Sequence, residues 1–194
     1  MATNSLLTLI ILVGAIQGFI VAGILLSSKG KTKLPNRFLA ALIVLISIAS
    51  LGVYLMLTGV KYTSATWMTI SQVVPFFIIM PIGPLVYLYV RSFSNSVPKN
   101  YAVHFAPVMI DVVPQILFIL FFSGILPTSF NTLNSFVDAY DTYADIPRWA
   151  SVTFYLVLSW RFLKTLNHKR GDEFKRVQWL KQFVTVFLWF QVVW

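Results

Sequence analysis

LLTLIILVGAIQGFIVAGILL, Leu6 to Leu26, is followed by SSKGKTKLPNR and then by FLAALIVLISIASLGVYLML, Phe38 to Leu57. Each apolar stretch matches the ~20 residues that an α-helix needs to cross ~30 Å of hydrocarbon. The turn between them carries Lys29, Lys31, Lys33 and Arg37 and no acidic residue. Basic loops stay on the cytoplasmic side, so the pair reads as two transmembrane helices with their turn inside and the N-terminus outside. The first stretch is not a signal peptide: it lacks a basic leading region and is about twice the length of a signal peptide's apolar segment.

The same pattern continues along the chain. Met68 to Val90 and Phe105 to Leu126 read as two further spans, and weaker stretches run from Ile146 to Leu163 and from Trp179 to Trp194. The connection at 58–67 holds one basic residue, Lys61, and the next holds Arg91 and Lys99. The fourth has Arg148 with Asp138, Asp141 and Asp145, and the fifth, Arg161 to Lys181, has seven basic residues. The basic residues therefore alternate in density from loop to loop, as a chain woven six times through a membrane requires. Composition agrees. The 194 residues are 58% hydrophobic and only 11% charged, against about 25% charged in a soluble domain. The expected fold is an all-α, multi-pass transmembrane bundle of one domain, with spans at 6–26, 38–57, 68–90, 105–126, 146–163 and 179–194. Six spans return the C-terminus to the outside, so a cytoplasmic C-terminal domain requires a seventh span, expected beyond Trp194.

The charge of +9 comes with no Cys and two His, His104 and His168, which excludes thiol chemistry, Cys-ligated zinc and disulfides. No enzyme motif, metal set or cofactor site is legible. The basic residues near Asn167 to Glu173 follow from topology and from attraction to anionic headgroups, not from nucleic-acid contact. A helix break is expected there, with Gly171 as cap and Asp172 starting the next helix. Trp67, Trp149, Trp160 and Trp179 stand at span ends, where an indole anchors at the interface. There is no internal repeat of the kind common in transporters. The outer connection from Pro127 to Pro147 has an apolar sector of Phe130, Leu133, Phe136, Val137, Tyr140 and Ala144 beside an acidic one of Asp138, Asp141 and Asp145. It reads as a separate amphipathic helix on the bundle or membrane surface, either a lid or a cover for apolar surface.

Asp111 is the only acidic residue inside the four strongest spans, where an ionised carboxylate costs roughly 2.5–3.5 kcal/mol. On a continuous helix His104, Asp111 and Gln115 share one face. The readings are a ligand or proton site, or else a buried hydrogen-bond knot between helices or a carboxyl kept neutral by burial, with Gln17 and Gln72 as the other mid-span partners visible. Gly14 and Gly18 form a small-xxx-small pair suited to close helix packing, within the bundle or in a homodimer. Pro75, Pro81, Pro84, Pro107 and Pro114 fall inside spans three and four, so kinks or local unwinding are expected there.

GAIQGFIVAGILL at Gly14 to Leu26, PNRFLAALIVL at Pro35 to Leu45, GPLVYLYVRSF at Gly83 to Phe93 and HFAPV at His104 to Val108 occur in an order and spacing less generic than hydrophobicity. In these segments the chain resembles the N-terminal membrane region of AraC-type helix-turn-helix transcriptional regulators, common in Bacteroidetes. The resemblance implies a bacterial inner-membrane sensor and anchor, with DNA contact made by a cytoplasmic domain not present in these residues. The bundle would respond to a membrane or extracytoplasmic signal through the kinked spans. The rival readings are an accessory subunit of a larger membrane complex and, with less support, a small transporter. The lipid bilayer is the expected partner, with a homodimer or membrane-complex partner beside it, and no nucleic acid is expected to touch this chain.

Overall fold

A computed structural model describes residues 2–29, 33–60, 63–94, 96–166 and 172–193. His168 and the expected cap at Gly171 lie outside the described residues. Among the described residues the chain is all-α: seven α-helices and no strand. The first two are α1 (Ala2–Ser27) and α2 (Lys33–Leu57). They pack on each other, and both are long and apolar enough to cross a membrane. Only 11% of the most apolar window of α1 is buried inside the chain. Ala15 and Ala22 face inward, and Gly18 lies against the Ser47 side chain of α2, where an added Cβ would collide. Gly14 meets nothing.

The stretch Met68 to Val90 is not one helix. It is α3 (Ala65–Val73), a non-helical segment at 74–80, and α4 (Ile82–Ser92). Ser64 caps α3 by accepting the Trp67 N–H. Pro75 ends it, because the residue before a proline is driven out of the helical region, and Val74 is extended at φ −81°, ψ 120°. Pro81 and Pro84 then sit at the N-cap and in the first turn of α4, where a missing N–H costs nothing. The stretch Phe105 to Leu126 is also divided. A 3₁₀ helix, Tyr101–Phe105, and a turn through Pro107 precede α5 (Val108–Phe122), whose 15 residues reach about 22 Å at 1.5 Å per residue. Pro114 is accommodated inside α5, and Gly124, at φ +74°, follows its C-terminus.

The third correction concerns the outer connection. It is no separate surface helix but the first half of α6 (Phe130–Thr165), a single helix of 36 residues that runs through Pro147. Leu133, Val137, Ala144, Arg148, Val152, Tyr155, Ser159 and Leu163 are buried at steps of three, four or seven, so one stripe continues past the proline. The last helix, α7 (Asp172–Val193), has 22 residues and is longer than its apolar part.

Residues Gly83 to Val90 of α4 are all buried, which makes it the central helix. It runs parallel to α6, with Gly83 against Val152 and Tyr155 at one end and Arg91 over the Phe162 ring at the other. α7 runs antiparallel to both: Trp179 lies beside Tyr89, and the Trp149 indole donates to the Gln191 carbonyl. The main core joins Phe38 and Leu42 of α2 with Leu88, Leu156, Leu180 and their neighbours. A smaller core of Phe118, Leu133 and Val137 packs α5 antiparallel to the first half of α6. α6 is thus shared between two layers, α4 and α7 along its second half and α5 along its first.

Candidate functional site: a buried carboxylate at two helix breaks

Asp111 sits in the first turn of α5, not mid-helix, and its side chain is fully buried. Its Oδ2 accepts the backbone N–H groups of Ile79 at 2.8 Å and Met80 at 2.7 Å. These donors belong to the non-helical segment between α3 and α4, where no preceding helical turn supplies a carbonyl. Its Oδ1 accepts from Arg148 Nε at 2.7 Å. One carboxylate therefore closes the break in the third stretch and ties it to α5 and α6. Buried backbone N–H groups outside a helix need an acceptor of this kind.

Arg148 is in turn surrounded. Its Nη2 donates to Asp141 Oδ1 at 2.8 Å and its Nη1 to Asp145 Oδ1 at 3.1 Å, while Tyr140 beside them donates to the Ile110 carbonyl at 3.0 Å. Asp141 and Asp145 are solvent-facing, at 48% and 73% side-chain exposure, against 0% for Asp111. The guanidinium is thus graded from a buried partner to exposed ones. Charge-assisted bonds of this length are the strong class, and the one to Asp111 is shielded from screening.

The other polar residues singled out in the sequence divide. His104 is on the 3₁₀ helix, not on α5, so it does not share a face with Asp111. It belongs to a second network. The Tyr155 hydroxyl donates to the His104 carbonyl at 3.2 Å and lies 3.1 Å from Nδ1, an arrangement that uses the Nδ1–H tautomer. Tyr87 packs against both rings, and Arg91 Nη1 donates to the Tyr87 hydroxyl at 2.8 Å. Arg91 Nε also holds the Ser96 carbonyl at 2.8 Å, closing the turn after α4. Gln115, one turn after Asp111, keeps its Oε1 buried without a partner. Gln17 is exposed on α1 and Gln72 is half-buried on α3, and neither bonds Asp111.

The residue that sequence reasoning missed is Arg148. Its signal was present: a lone cation seven residues after Asp141 and three after Asp145, in register with the apolar stripe of α6. Its place in the connection between two stretches, 37 residues from Asp111, hides the pairing. Three donors engage both oxygens of Asp111 and join the segment at 74–80, α5 and α6. No group of three or more His, Cys, Asp or Glu that could hold a metal ion occurs among the described residues. No protein-family model, curated protein or solved structure matches the chain.

Proposed function

We propose that this chain is a multi-pass sensor domain of a bacterial inner membrane, with its N-terminus outside, that passes a membrane or extracytoplasmic signal to a cytoplasmic output. The observation that carries this reading is the Asp111 tie. Two interrupted helical stretches meet at one buried carboxylate, and the same carboxylate grips the long helix α6. Such a joint has two discrete arrangements, engaged and released, and a signal acts by favouring one of them. The directions of α4, α5, α6 and α7 support the weave read from the basic loops, since each is antiparallel to its successor where contacts define it. The outward apolar face of α1 supports lipid as its surroundings.

The resemblance to AraC-type membrane regulators supplies the output: transcription control, with DNA contact made by a domain other than these residues. The test uses the full-length protein and a reporter of its target promoter. Asp111→Asn is expected to shift the response to one extreme, constitutive or silent, while the protein remains at normal level in the membrane. A response unchanged by Asp111→Asn and by replacement of Pro75 and Pro107 would overturn the sensor reading. Copurification with a fixed membrane complex, without any promoter response, would favour the accessory-subunit reading instead.

A further inference from the structure

α1 packs on α2 through the face that carries Ala15, Gly18 and Ala22, and its opposite face is open. On that open face Leu6, Ile10, Val13, Gln17, Ile20 and Ile24 recur at alternating steps of four and three. This is the heptad spacing of a helix-to-helix seam. The five apolar members are 44% to 66% exposed. At the centre of the seam stands Gln17, exposed, and among the described residues nothing in the chain hydrogen-bonds it.

We infer that this seam is a homodimer interface in which Gln17 pairs with Gln17 of a second copy. A primary amide facing hydrocarbon lacks partners for two N–H donors and a carbonyl, which is unfavourable. Two copies inserted in one membrane have the same orientation, so their first helices run parallel and equal residues meet at equal depth. The seam has one polar residue, at its middle, and its amide is both donor and acceptor. In a two-fold pair each Gln17 N–H donates to the other's Oε1. A polar residue within an otherwise apolar heptad also fixes register and partner number. Neither requirement identifies a different protein as the occupant, because both are met by the chain's own sequence.

The inference rests on the membrane placement proposed above, and the two are tested separately. Alkaline carbonate extraction reports the placement: release of the protein from the membrane fraction refutes it. For the dimer, the absence of native cysteine allows single-cysteine scanning of the full chain in native membranes, with oxidative cross-linking read on a non-reducing gel. Cross-linked dimer is expected at positions 10, 13, 17, 20 and 24 and little at Phe19 and Leu26, which are exposed but lie more than 90° around α1 from the middle of the seam. Gln17→Leu is expected to weaken association by about three- to tenfold, the scale of an interhelical hydrogen bond in a membrane, and Gln17→Asn to retain it. Cross-linking that is even around the helix, or association unchanged by Gln17→Leu, overturns the dimer. A cross-linked product of another mass also overturns it, placing a different helix on the seam.

Discussion

Arg148 is the one charged partner of the fully buried Asp111 among the described residues, whereas Arg148 also reaches the exposed Asp141 and Asp145, and this sets the cost of removing either. Loss of one partner leaves a buried charge uncompensated, about 3–5 kcal/mol for well-buried pairs. Arg148→Met, which orphans the buried Asp111, is expected to destabilise the protein on that scale, measured by unfolding in lipid nanodiscs, and Asp111→Ala less, because Arg148 keeps Asp141 and Asp145. The double variant is expected to be less destabilised than the sum of the two, because no orphaned charge remains. At the second network, Tyr155→Phe removes one hydroxyl that serves both the carbonyl and the ring of His104. A loss of about 1–3 kcal/mol is expected from the unsatisfied groups. Asp111 and His104 were legible in the sequence, since polar residues are conspicuous among apolar neighbours, whereas Arg148 was not. Nor was its pairing with Asp111, because the two lie 37 residues apart on different helices. The Ile79 and Met80 donors are backbone groups that carry no sequence signature.

At the scale of helices, α1 and α2 were fully legible, being long, apolar and separated by a basic turn. The density of prolines foretold disruption in the third and fourth stretches but not that they would divide into short helices with an extended segment between. Pro147 misled in the opposite direction: it reads as a boundary, yet the buried stripe of α6 holds its phase on either side of it. Helix packing also distinguishes glycines that look alike in sequence. A Cβ on Gly83 would lie 3.0 Å from the Val152 Cα and the Tyr155 Cβ, whereas one on Gly14 would meet nothing within 4 Å. Gly83→Ala is therefore expected to force α4 and α6 apart and to cost about 1–3 kcal/mol. Gly14→Ala is expected to be neutral or to stabilise by up to about 1 kcal/mol through helix propensity. Thermal unfolding of the two variants side by side checks the contrast.

For the whole molecule, the interleaved directions make a prediction about sidedness. Reporter domains inserted into the full chain at 58–60 and at 124–128 are expected to be active on the outer side. Insertions at 97–100 are expected to report the cytoplasm, and agreement of the first two with the third would refute the weave. The length of α6 has a mechanical consequence. At 1.5 Å per residue its 36 residues extend about 54 Å, well beyond ~30 Å of hydrocarbon. Arg148, its nineteenth residue, is gripped at the middle of that rod. In the sensor reading proposed above, α6 would be a lever with its fulcrum at a salt bridge and two arms of nearly equal reach. A tilt that carries the Phe130 end about 2 Å to one side carries the Thr165 end about as far the other way. In that reading the amplitude is the one that helix shifts between packed elements have in known switches.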